Sequence, residues 1–263
     1  MKVALLIAVL IFLSGCSVDT SASNGPDALP ASTPPTNSND INANTAYSPA
    51  YETQKIDQAK RDELDRNNAR FRVAPEEFKE IDFENFRFRN LSGLDYRQSR
   101  YITLKNGEFE YEEKNILGGT RYSLGEIFYV DLAGNEKKEA VVFVYSLSCG
   151  ASCDGGSATI YFYSAENNTP ILLGTIQTGS TAYGCNTKSF AIRNKTIYLE
   201  QFGRCNGSIN EDNHLYSSKF CVKDLTKTVY YFQNSKLVKT ANNVEVTPET
   251  NVMNYFPEIS IND

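Results

Sequence analysis

Residues 123–147, Ser-Leu-Gly-Glu-Ile-Phe-Tyr-Val-Asp-Leu-Ala-Gly-Asn-Glu-Lys-Lys-Glu-Ala-Val-Val-Phe-Val-Tyr-Ser-Leu, decide the fold. Two apolar runs, Ser123–Leu132 and Glu139–Leu147, flank the turn-forming cluster Ala133-Gly134-Asn135-Glu136. Their β-branched and aromatic side chains suit a pleated, packed surface, and Gly-Asn suits a chain reversal. The pattern predicts a β-hairpin. It repeats along the chain. Tyr101–Leu104 and Glu108–Tyr111 flank Asn106-Gly107, a strong short-range hairpin signal. Ala158–Tyr163 and Ile171–Gln177 are separated by a polar turn around Asn167-Asn168, and Ser189–Arg193 and Thr196–Gln201 by Asn194-Lys195. Lys219–Val222, Val229–Gln233 and Lys236–Lys239 read as the end of a meander. Sequential hairpins with frequent turn signals imply a mainly β, antiparallel domain, either a sandwich or an open barrel. No repeat of 20–50 residues is visible, so a full propeller or solenoid is not expected.

Upstream of these runs the text changes character twice. Ile81, Phe83, Phe86 and Phe88 alternate with polar residues, with one slip, as in a strand, and Pro75-Glu76-Glu77-Phe78 reads as a helical first turn. From Tyr51 to about Arg70 the chain is charged and free of Gly and Pro, which predicts a short N-terminal helix with Ile56, Ala59 and Leu64 as a thin apolar stripe. Residues 17–50 are rich in Ser, Thr, Asn, Pro and Ala. Such a segment cannot bury enough apolar surface to offset the entropy of ordering, so a disordered tether is expected, with a typical reach of about 30–35 Å. The boundaries expected from sequence are thus 1–15, 16–50, 51–70 and 71–263.

At the start of the chain, Lys2 precedes the apolar stretch Val3–Phe12, which leads into Leu13-Ser14-Gly15-Cys16. This order resembles the signal peptide and lipobox of bacterial lipoproteins. The resemblance implies removal of residues 1–15, a diacylglyceryl thioether on Cys16, and a mature protein held to the membrane by acyl chains such as palmitate. The apolar stretch would make about 15 Å of helix, half of a bilayer core of about 30 Å, so it is too short to span. Ser17, standing where an aspartate would retain an enteric lipoprotein in the inner membrane, favours the outer membrane in a Gram-negative host. The whole sequence carries 26 basic and 32 acidic residues; loss of Lys2 would leave 25 and 32, a net charge of −7. That balance gives no electrostatic footprint for nucleic acid.

Phe128–Val142 also resembles the strand–DLxGD/NGxxEAVV–strand signature of exported bacterial domains and of FG-GAP or VCBS-like repeats. In those repeats the loop often holds Ca2+, a hard cation that takes six to eight oxygens. The resemblance implies Asp131, Asn135 and Glu139 as oxygen donors. Ala133 and Glu136 depart from the pattern, replacing an acid and a glycine. Without metal, Asp131 and Glu139 would simply hold the turn.

Five cysteines follow Cys16, and an exported setting favours disulfides. Cys185 and Cys205 flank the Asn194-Lys195 hairpin almost symmetrically, so they are expected to face each other across its open end. Cys149 and Cys153 bracket Gly150-Ala151-Ser152 and could close a small ring. That leaves Cys221 either as a buried thiol or as a partner for the 149/153 loop. A four-thiolate zinc site lacks the usual pair of CxxC-like elements. The sole histidine, His214, follows a polar loop and is a poor catalytic candidate, and Glu110, Glu112 and Glu113 read as solvated. No GxSxG, HExxH or P-loop motif is present. The sequence favours a non-catalytic binding or structural module of the cell envelope, with an envelope protein or polysaccharide as partner. The alternatives are a hydrolase using carboxylate or metal chemistry around Asp131 and Glu139, and an inhibitor or receptor module acting through the Cys149–Gly156 loop.

Overall fold

A computed structural model describes residues 49–90, 101–112, 119–149, 155–179, 185–205, 221–251 and 257–262. The chain divides into two compact units, residues 1–60 and 61–263. Helix α1, Pro49–Asn68, contains no Gly or Pro after its first residue and is rich in Lys, Glu, Gln, Ala and Arg, residues of high helix propensity. Three 3-10 turns follow: η1, Ala69–Phe71, η2, Glu76–Phe78, and η3, Phe83–Asn85.

The body is a two-sheet β sandwich. The first sheet comprises β3 (Glu108–Glu112), β4 (Gly119–Val130), β5 (Glu139–Cys149), β6 (Gly155–Glu166) and β7 (Thr169–Gln177), paired antiparallel in that order. The second comprises β8 (Thr187–Arg193), β9 (Thr196–Phe202), β10 (Cys221–Gln233), β11 (Lys236–Asn251) and β12 (Glu258–Asn262), in the order β11-β10-β9-β8-β12. A small ladder pairs β1 (Arg87–Arg89) with β2 (Tyr101–Thr103). Inward residues Phe128, Val141, Phe143, Ile160 and Phe162 of the first sheet meet Phe190, Ile192, Ile197 and Leu199 of the second.

The other face of the first sheet is buried too. Tyr129, Ala140, Val142, Val144, Tyr161 and Tyr163 pack beneath Phe78, Phe83, Phe88, Ile102 and Leu104 of the N-terminal segment. Rings meet in tilted and edge-on pairs, such as Phe88–Tyr161 at 5.0 Å and Phe86–Phe88 at 4.9 Å between centroids. Each fully buried Phe contributes roughly 1.5–3 kcal/mol. Burial on both faces explains why Ala140–Tyr145 is a continuous apolar run rather than an alternation.

Turn chemistry holds the hairpins. Asn106-Gly107, Asn167-Asn168, Asn194-Lys195 and Asn234-Ser235 all have positive φ at both positions, the geometry of a two-residue reversal that matches strand twist. Asn tolerates that region because its short polar side chain bonds locally.

Several sequence expectations change in detail. The turn at Asn106-Gly107 forms, with Lys105 N–H bonded to Glu108 O at 2.9 Å, but its arms diverge: β2 pairs with β1, and β3 with β4. The expected strand over Ile81–Phe88 is mostly turn, because Asp82 Oδ1 accepts the Glu84 and Asn85 N–H groups and starts η3. The three short strands expected between Lys219 and Lys239 are one long hairpin, β10–β11, with bulges that carry it across polar residues. Finally, β12 pairs parallel with β8, a long-range contact that no local pattern announces.

Candidate functional site

The loop between β4 and β5 gathers the residues singled out by sequence. Asp131 Oδ1 accepts the N–H groups of Gly134 at 2.6 Å and Asn135 at 3.1 Å, and its Oδ2 accepts Glu136 N–H at 3.2 Å. Glu139, only 2% exposed, accepts the N–H groups of Leu132 at 2.7 Å and Ala133 at 3.2 Å through Oε2. Asn135 Oδ1 accepts Lys137 N–H at 3.0 Å. Side chains thus satisfy the amides of a loop that has no ladder to bond them. Lys195, at the β8–β9 turn, lies 3.2 Å from Asp131 Oδ2 and ties the two sheets at this end.

Charge follows this geometry. Desolvation pushes the Asp131 carboxyl up. The Gly134 N–H, the Lys195 ammonium and the Glu136 and Asn135 N–H groups outweigh it, so its pKa lies below the usual value. For Glu139 burial dominates and is reinforced by the Asp131 charge. Its pKa is raised despite the Leu132 and Ala133 N–H groups.

A calcium loop would need these oxygens directed at one point. Here both Asp131 oxygens, Asn135 Oδ1 and Glu139 Oε2 accept N–H groups, and an ammonium stands against Asp131. Among the described residues no three His, Cys, Asp or Glu side chains cluster to hold a metal ion. The donor set does not fit the Ca2+ site that the resemblance implies.

Beside this loop lies a polar cleft of about 560 Å³. Lys137, Lys138 and Glu139 form one wall, Ser164 and Glu166 near the β6–β7 turn another, and Glu77 and Ser235 close it. Sequence missed Lys195, Glu77, Ser164, Glu166 and Ser235 as neighbours, since four separate turns supply them and no local motif links them. A second, shallower groove of about 610 Å³ runs beside the part of β4 where the register shifts between Leu124 and Ile127. Glu126 stands in this shift and accepts the Tyr145 hydroxyl at 2.8 Å.

The Cys185–Cys205 disulfide forms as spacing suggests, with Cα atoms 5.6 Å apart. It closes the end of the β8–β9 hairpin, where Cys185 N–H bonds Phe202 O and Cys205 N–H bonds Thr226 Oγ1. Both cysteines are buried. Cys149 ends β5 and Cys221 begins β10, but the contacts of their side chains, and all of Cys153, fall outside the described residues. So do Cys16 with its lipobox, His214 and Glu113. Glu110 is exposed and lies 3.6 Å from Arg121. Comparison with protein-family models, with curated proteins and with solved structures returned no match to this chain.

Proposed function

We propose that the protein is a bacterial envelope lipoprotein, lipidated at Cys16, whose β sandwich serves as a non-catalytic binding or structural module on a polar tether. The observation that carries this reading is the order Lys2, Val3–Phe12, Leu13-Ser14-Gly15-Cys16, followed by a long Ser/Thr/Asn/Pro-rich segment. Acyl chains would supply the attachment, at about 0.8 kcal/mol per buried CH2, where the net acidic charge of the chain disfavours anionic lipid. Ser17 favours the outer membrane in a Gram-negative host.

The site geometry supports a binding role over hydrolysis. Asp131 and Glu139, the acids that the sequence singles out for carboxylate chemistry, are engaged by backbone N–H groups and organise the loop. The cleft beside them presents ammonium, carboxylate, amide and hydroxyl groups together, a surface that suits a polar envelope component such as a polysaccharide or a protein loop. Fractionation tests the anchoring: the wild-type chain should sediment with membranes and Cys16→Ser should become soluble. Retention of the Cys16→Ser chain on membranes at the wild-type level would refute it.

A further inference from the structure

The β1–β2 ladder has two unlike faces. Phe88, Ile102 and the following Leu104 are buried in the aromatic cover of the first sheet. Arg87, Arg89, Tyr101 and Thr103 alternate with them and are exposed on the opposite face. Hydrogen bonds to the main chain fix this face in place: the Tyr161 hydroxyl donates to Arg89 O at 2.6 Å, and Leu104 N–H to Phe86 O at 3.0 Å. The register sets Tyr101 opposite Arg89 and Thr103 opposite Arg87. Arg87 reaches diagonally across the ladder, with its guanidinium 4.0 Å from the centroid of the Tyr101 ring.

Arg72, Arg121 and Arg204 each stand against a carboxylate, but among the described residues neither Arg87 nor Arg89 has an ion pair. Stacking on Tyr101 covers one face of the Arg87 guanidinium and leaves the N–H donors in its plane open. Residues i and i+2 of a strand stand about 6.6 Å apart, so the two guanidinium forks form a short row. Their charge is opposite in sign to that of the chain. Residues 87–105 carry five basic side chains and one acid in sequence, within a chain of net charge −6.

We propose that this face binds an acidic polysaccharide, whose successive carboxylates take the Arg87 and Arg89 forks while a sugar ring packs beside Tyr101. A carboxylate accepts paired N–H bonds from a guanidinium, and a row of acids on an extended polymer matches a row of forks. Tyr101, 43% exposed, adds apolar surface for sugar C–H groups. A bilayer fits less well, since the described residues of this face include no other large apolar side chain to enter lipid. The surface shares no residue with the cleft beside the β4–β5 loop and requires no lipid on Cys16.

Affinity electrophoresis of the purified full chain in detergent, through gels containing polygalacturonate, tests the proposal. The wild type should be retarded, less so as salt rises, and neutral dextran should not retard it. Arg87→Gln combined with Arg89→Gln should weaken binding about tenfold or more, and Tyr101→Ala about threefold. Lys137→Gln combined with Lys138→Gln, in the cleft, should leave it unchanged. Absence of retardation by polygalacturonate, wild-type retardation of the arginine double variant, or an equal loss in the lysine double variant would each overturn the proposal. So would equal retardation by poly-glutamate, which would assign the face to an acidic protein. Loss of retardation when phosphatidylglycerol is added to the micelles would assign it to lipid and overturn it as well.

Discussion

At Gly125 the missing Cβ is a packing requirement. A Cβ there would collide with the Tyr145 ring at Cε2 and stand 3.2 Å from Phe143 Cβ, and the ring cannot swing away freely while its hydroxyl bonds Glu126. Gly125→Ala should therefore destabilise the fold by about 1–3 kcal/mol, measurable by urea unfolding, and should cost clearly less in a Tyr145→Ala background, where the ring it meets is gone. Asp131 is the other telling residue. Asp131→Ala leaves three loop N–H groups and Lys195 without their acceptor, an expected cost of about 1–3 kcal/mol at pH 7. Because the folded pKa of Asp131 is depressed, its contribution is complete above the unfolded value near about 4 and is lost as the pH falls through the lower folded value. The gap between wild type and variant should thus shrink in acid; a gap that stays constant down to pH 2 would contradict this role. Millimolar Ca2+ should leave the melting temperature unchanged, and a rise abolished by Asp131→Ala would show that the loop does bind the ion. Sequence identified Asp131, Asn135 and Glu139 as neighbours because they share one loop. Their hydrogen-bond partners were not legible, since backbone amides carry no sequence signal and Lys195 arrives from another hairpin.

Among elements, the reversals were the most readable. Asn opens each of the two-residue turns at 106, 167, 194 and 234, and the strands beside Asn167 and Asn194 pair as the pattern predicts. Pairing beyond the turn was less readable. The arms around Asn106-Gly107 separate, β2 to β1 and β3 to β4, and periodicity cannot report which of two neighbours a strand will pair with. The length of β10 and β11 was hidden by polar residues such as Asp224, Lys227 and Glu245, which are held in ion pairs, Asp224 with Arg204 and Lys227 with Glu245, each at 2.8 Å. The disulfide was legible from spacing because it is local to one hairpin. Replacing Cys185 and Cys205 together by Ala should cost about 3 kcal/mol, the loop-closure value for a separation of 20 residues. Mass mapping of non-reduced peptides should recover the Cys185–Cys205 link, and a different partner for either cysteine would contradict the fold at that corner.

For the molecule as a whole, strand-rich composition and repeated turns pointed to a layered β fold, and the sandwich follows from it. The third layer, the aromatic N-terminal cover over Tyr161 and Tyr163, read in sequence as a slipped strand over Ile81–Phe88, whereas the structure uses a 3-10 turn there and only the short β1. The proposed address rests instead on the first sixteen residues, through recognition of a processing signal rather than through packing. The measurement that tests it most directly is mass spectrometry of the N-terminal peptide of the protein isolated from membranes. Cleavage before Cys16 with a diacylglyceryl group on its sulfur is the expected result. An N-terminus elsewhere, or an unmodified Cys16, would contradict the reading of this chain as a lipoprotein.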